Sequence, residues 1–172
     1  YDPDKARQLL SEAGFPGGQG FPKLSVLYNS SEQHRRMAEV IQQMWKKHLG
    51  IEIELANEEW KVYLKTSQEM DYDISRAGWI GDYPDANTFL DMWLTDGGNN
   101  YTGFSSVEYD KLISDAANAP SVEARLTLFQ KAEELLMNEM PILPIYFYTA
   151  RYLIDPQVRE WHPTILNHHP YK

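Results

Sequence analysis

Between Ser75 and Trp93 the chain reads SRAGWIGDYPDANTFLDMW, which sets Trp79, Asp82, Tyr83 and Asp85 within seven residues. Carboxylates beside tryptophans suggest sugar chemistry, and a glycosidase needs two carboxylates flanking one bond at a defined separation. Asp82 with Glu58 or Glu59 could supply such a pair, but no spacing in the sequence fixes that distance. DYPDAN does not fit a calcium loop, which requires ligands at alternate positions, a central Gly and a distal Glu. Neither HExxH nor HxxEH occurs, nor GxGxxG nor a phosphate loop, and no nucleophile–base pair stands out. His168 and His169 are adjacent, so their side chains diverge. With no cysteine, thiol catalysis, zinc–thiolate sites and disulfides are excluded.

The groups left over suit binding better than bond-breaking. Aromatic faces give flat apolar walls, and a loop aspartate gives a charge for a desolvated cation. Asp85 is placed to cap the following helix, DANTFLDMW. Asp82 stands too far ahead of that helix to cap it and is free to face a ligand or bridge the loop.

These groups must be positioned by the elements around them. YDPDKARQLLSEAGF reads as a helix with Asp2 as N-cap, Pro3 in the first turn, Ala6, Leu9, Leu10 and Ala13 at helical spacing, and Gly14 as stop. KLSVLYN (23–29) is a strand. SSEQHRRMAEVIQQMWKKHLG (30–50) is an amphipathic helix with Met37, Val40, Ile41, Met44 and Trp45 on one stripe and Gly50 at its end. IEIEL (51–55) alternates as a strand, 58–68 is a shorter helix, and YDISRAGW (72–79) returns to strand. This order predicts parallel pairing with right-handed crossovers. Two more helices follow, 105–119 and 121–140, the second opened by Ser121 and facing a core with Leu126, Phe129, Ala132, Leu135 and Leu136. Trp93 also falls on an apolar stripe. PILPIYFYTARYLI (141–154) reads as a strand region.

In open parallel sheets, ligands gather outside the carboxyl ends of the strands. Asn29, Ser30 and His34 follow the first strand, Asn57, Glu58 and Trp60 the second, and Trp79, Asp82 and Asp85 the third. The spacing therefore predicts that Trp60, Trp79 and Asp82 share one edge of the sheet.

Composition bounds the alternatives. The chain has 172 residues, 42% apolar and 24% charged, with a net charge of −9. A nucleic-acid partner is not expected, because phosphate binding needs a concentrated basic face, and HRR (34–36) and KKH (46–48) read as solvated helix ends. No apolar run approaches the roughly 20 residues needed to span a bilayer. Tyr1 in place of an initiator Met, and an uncapped tail, are expected of a segment of a longer protein.

The segments NEEWKVYLKTSQEMDYDISRAGWIGDYPDANTFLDMW, NNYTGFSSVEYDKLISDA, AEELLMNEMPILPIYFY and WHPTILNHHPYK closely resemble the oligopeptide-binding proteins of bacterial peptide ABC importers. The resemblance runs over essentially the whole chain. It implies an α/β fold, a mixed, mainly parallel sheet flanked by helices, forming one lobe of a type II periplasmic binding protein. Residues 1–146 would be the C-terminal peptide-binding lobe and 147–172 a segment returning toward a first lobe outside this sequence. The implied function is non-enzymatic: an extracytoplasmic or periplasmic receptor, without cofactor or metal, that binds oligopeptides for a membrane permease, lipid anchoring of the parent being left open. A receptor specialised for murein peptide, nickel chelate or oligosaccharide is the alternative.

By the same resemblance, Asp82 matches the aspartate that holds the peptide's α-amino group, Trp60 and Trp79 match aromatic walls, and Tyr148 matches another cleft-lining position. His34 and Arg76 match positions that engage the peptide's carboxylate, directly or through water. Asn29 and Asn99 match polar cleft positions. Ser67 stands where some relatives have an arginine, which puts the same peptide-length preference in doubt.

Overall fold

The computed structural model describes residues 1–162 and 164–168. The expectation for the His168–His169 pair rests on His169, which lies outside the described residues. Two compact units follow one another along the chain, Tyr1–Gly78 and Trp79–Lys172.

The first unit opens with α1, Pro3–Glu12, whose Asp2 cap accepts the Lys5 amide at 2.9 Å. β1 (Leu24–Asn29), α2 (Glu32–Leu49), β2 (Ile53–Glu58), α3 (Trp60–Gln68) and β3 (Ile74–Ser75) follow. The strands form a parallel sheet in the order β2-β1-β3. Each connection contains a helix, which carries the chain back to the start of the sheet so that the next strand can run parallel. Val26, Leu27, Tyr28, Ala38, Ile51, Ile53 and Tyr63 are buried in this unit. Trp45 is only half-buried, and Val40 and Met44 are exposed, so the apolar stripe expected on α2 is only partly covered.

A reversal fixes how α2 meets the start of the unit. Gly50 ends α2 in the left-handed region, at φ 71°. A Cβ on Gly18 would lie 2.4 Å from the Gly50 carbonyl oxygen, and one on Gly50 would lie 2.4 Å from that of Gly17. Two backbones therefore meet where only glycine fits.

The strand expected over 72–79 is far shorter, and the reason is visible. The carboxylate of Asp73 accepts both the amide of Ser25 (2.8 Å) and its hydroxyl (3.1 Å), taking a donor at the start of β1. At the other end the Arg76 amide still donates to the Leu27 carbonyl at 2.8 Å, after which the chain leaves the sheet. β2 likewise starts at Ile53 rather than at residue 51, and runs on to Glu58.

The second unit is helical: α4 (Asn87–Leu90) continuing into a 3-10 turn, α5 (Val107–Ala117) and α6 (Val122–Glu139). Ser106 and Ser121 cap α5 and α6 through their hydroxyls. Leu90, Tyr109, Ile113, Ala116, Phe129, Ala132 and Leu136 form its core, with Trp93 and Leu135 packed against them. Leu126, expected inside, is half exposed. No strand forms over 141–154 among the described residues. Pro141 and Pro144 lack amide donors, and a strand needs a neighbour to complete its ladder.

Candidate ligand-binding site

In the first unit, the carboxyl edge of the sheet is built by the last residues of three adjacent strands. Asn29 ends β1 and pairs in register with Glu58, the end of β2. Arg76 directly follows β3, and Trp60 opens α3. His34 sits in the first turn of α2, just past the Asn29 end of β1. Its pKa is held below the usual imidazole value, first by burial and then by the nearby charge of Arg76, with the Asn29 backbone opposing both. His34 and Arg76 thus follow adjacent strands at the same end of the sheet.

Tyr63 ties Trp60 to Arg76. Its ring stacks with Trp60 at 5.6 Å between centroids and 23° between planes, and its hydroxyl donates to the Arg76 carbonyl at 2.7 Å. Trp60 itself stays half exposed, so an indole face is available. The sequence pointed to Trp60 and not to Tyr63, although the spacing of three on a helix would have paired them.

Three side-chain oxygens of this unit's sheet are enclosed without a hydrogen-bond partner among the described residues: Asn29 Oδ1, Glu58 Oε2 and Ser75 Oγ. Ser67 lies buried within α3, its hydroxyl also lacking a partner among the described residues.

The other expected site residues fall in the second unit. Asp82 is exposed, and its amide donates to the Thr88 hydroxyl at 3.1 Å. Trp79 is partly buried with its indole N–H enclosed. Asn99 is exposed on the loop before α5, and Tyr148 is half exposed with its ring 4.9 Å from that of Tyr146. The structure thus gathers Asn29, His34, Trp60 and Arg76 on one edge of the first unit, while Trp79, Asp82, Asn99 and Tyr148 belong to the second.

The Asp82 loop is tightly organised within its own unit. Asp85 is not the N-cap of α4, a position taken by Ala86. Its Oδ1 nevertheless accepts the Asn87 amide at 2.8 Å, which does part of a cap's work. Arg125 of α6 grips both Asp85 oxygens. Asn87 in turn donates to the Tyr83 hydroxyl (2.9 Å) and to Asp91 (2.8 Å). Arg125 escaped the sequence reading because it lies 40 residues from its partner. Asn100 rather than Asn99 organises the next loop, donating to the carbonyls of Leu94 and Phe104.

No cluster of metal-ligating side chains occurs among the described residues. The arrangement offers charge, hydrogen bonds and an aromatic face.

Comparison with known proteins places these features in context. Residues 1–101 match the bacterial extracellular solute-binding proteins, family 5, in their middle part. The chain is 38% identical over 151 residues to the oligopeptide-binding protein OppA of Bacillus subtilis, covering 87% of this chain and 28% of that protein. It resembles the solved structure of the Escherichia coli murein tripeptide binding protein MppA, with a TM-score of 0.80 and 40% identity over 85% of this chain and 28% of the other. For Haemophilus influenzae OppA in complex with the peptide RPPGFSPFR, the TM-score is 0.79 at 36% identity, over 85% of this chain and 29% of that one. The chain spans less than a third of the length of each of these relatives.

Proposed function

Since the chain belongs to the bacterial extracellular solute-binding proteins, family 5, we propose that it is the C-terminal lobe of a non-enzymatic extracytoplasmic receptor that binds oligopeptides and hands them to an ABC importer. Residues 1–146 form the lobe proper, and 147–172 return toward a first lobe of the same parent. The observation that carries this reading is the edge shared by His34, Arg76 and Trp60, in a chain similar over most of its length to oligopeptide-binding proteins.

His34 and Arg76 receive the peptide's carboxylate, Trp60 and Trp79 its apolar surface, and Asp82 its α-amino group. Asn29, Asn99 and Tyr148 line the remainder. A peptide terminus that leaves water needs charge-assisted partners of opposite sign, and these residues provide both signs. Side-chain selectivity is broad where recognition uses the backbone groups common to all peptides. A murein peptide is the second reading, favoured by the 40% identity to MppA.

Calorimetry on the full-length receptor tests the assignment. A free-amino tetrapeptide is expected to bind at least about tenfold more tightly than its N-acetylated form, and Asp82→Ala to erase that difference. Equal affinities for the two peptides in the unaltered receptor would refute the role of Asp82. Mass spectrometry of the ligand carried through purification separates the readings: a mixture of linear peptides supports the first, a murein peptide the second, and a metal chelate or sugar overturns both.

A further inference from the structure

Glu58 has no place in the scheme above, yet one oxygen of its carboxylate is enclosed. Among the described residues its Oε2 is enclosed with neither hydrogen bond nor ion pair, although the residue as a whole remains partly accessible. Its register partner Asn29 has an enclosed Oδ1 in the same condition. Paired residues on neighbouring parallel strands project to the same face, with strands about 4.8 Å apart. Two acceptors therefore sit on paired residues at the carboxyl edge of the sheet, and neither has a donor among the described residues. Buried acceptors are normally satisfied, and an enclosed carboxylate oxygen is the more expensive of the two to leave bare.

The missing partner must bring at least two N–H groups and a positive charge. An ammonium or guanidinium group meets both demands, because each carries several donors and no acceptor. A hydroxyl would offer one donor and leave the carboxylate charge unbalanced. The positions of His34 and Arg76 sharpen the choice. His34 opens α2 just past Asn29, and Arg76 follows β3 at the same end of the sheet, so the same edge carries groups suited to an anion next to groups suited to a cation.

Resting on the peptide-receptor reading, we propose that Glu58 and Asn29 form a subsite for a lysine or arginine side chain of a peptide whose carboxylate is held by His34 and Arg76. The ligand class is then peptides with a basic residue at or next to the carboxyl end. Glu58 supplies the charge and Asn29 a second acceptor that fixes the donor's direction.

The test uses the full-length receptor and three tripeptides, Ala-Ala-Lys, Ala-Ala-norleucine and Ala-Ala-Ala, in calorimetry. Norleucine keeps the apolar length of lysine and removes its charge. The lysine peptide is expected to bind about tenfold or more tightly than the norleucine peptide, and Glu58→Gln to bring that ratio to within about twofold, since the ion pair is lost and the ammonium is left with a neutral acceptor that does not balance its charge. Equal binding of the lysine and norleucine peptides by the unaltered receptor overturns the subsite while leaving the peptide reading in place; this arm needs no variant. A lysine preference that survives Glu58→Gln overturns the assignment to Glu58. Failure of all three peptides to bind overturns the receptor reading and the subsite with it.

Discussion

Arg125 reaches from the first turns of α6 to hold both carboxylate oxygens of Asp85, at 2.6 Å and 2.9 Å, in a fork geometry that a lysine could not reproduce. Its guanidinium also lies 4.6 Å from the centre of the Phe129 ring. Through Asp85 and the Asn87 amide, this pair joins the start of α4 to α6 within the second unit.

The first prediction concerns that pair. Each side chain keeps 33% of its exposure, so solvent moderates the attraction. Arg125→Met, which retains the packing on Phe129, should lower Tm modestly and speed hydrogen exchange at the Asn87 amide. The Asp85 pKa lies below the usual carboxylate value, chiefly through the bond from Arg125 and next through that from Asn87. Its contribution to stability is therefore complete above the unfolded-state pKa of about 3.9 and is lost as pH falls through the lower folded-state value. Thermal melts of native protein and Asp85→Asn should differ at neutral pH and converge in acid; a constant gap would show that the pair is not the cause.

The second concerns His34. Burial and Arg76 depress its folded-state pKa, so the unfolded chain binds the proton more readily. Stability from this group is full above about pH 6.5, declines as pH falls toward the depressed folded-state value, and levels off below it, where both states are protonated. His34→Gln should flatten that segment of the Tm-against-pH curve. In the full-length receptor a bound peptide carboxylate should raise the His34 pKa, which an NMR titration with and without peptide measures; an unchanged value would remove His34 from the carboxylate site.

The third tests the glycine crossing. Gly18→Ala or Gly50→Ala forces a Cβ to within 2.4 Å of backbone oxygen at a positive φ, and each should destabilise by about 2 kcal/mol or more in denaturant titration. Gly20 has a similar φ of 75° and nothing within 4 Å. Gly20→Asn, in a residue type that tolerates this conformation, should cost clearly less. Equal costs at the two kinds of site would rule out the backbone clash.

A fourth prediction addresses the core of the second unit. Tyr109 is fully buried and donates to the Leu90 carbonyl at 2.7 Å. Burial, reinforced by the charges of Asp91, Asp110 and Glu133, raises its pKa well above the usual phenol value, so it remains a donor. Tyr109→Phe leaves that carbonyl bare and should cost about 1–3 kcal/mol; a smaller loss would mean that the carbonyl finds another donor.

Local signals were enough for much of the architecture. Asp2, Ser106 and Ser121 cap their helices through short-range bonds, and Gly50 ends α2, because capping depends on a few neighbouring residues. Alternation of strand and helix specified parallel pairing, and with it the edge on which Asn29, His34 and Trp60 meet, whereas Arg76, expected within the third strand, reaches that edge because β3 ends at Ser75.

Tertiary structure decided what depends on partners distant in the chain. The sequence reading had β3 running to residue 79, but Asp73 meets Ser25, 48 residues away, and the strand spans only two residues. Residues 141–154 have the composition of a strand and form none, since β structure requires a neighbouring strand that local sequence cannot promise. Asp85 looked like a simple cap until Arg125 arrived from α6. Glu58 was expected to open a helix and Asn29 to line a cleft, each by itself; only the register of β1 on β2 pairs the two residues, whose enclosed oxygens have no partner among the described residues. Helix caps and periodicities are legible because their energies are local, whereas the pairing and satisfaction of polar groups are properties of the folded surface alone.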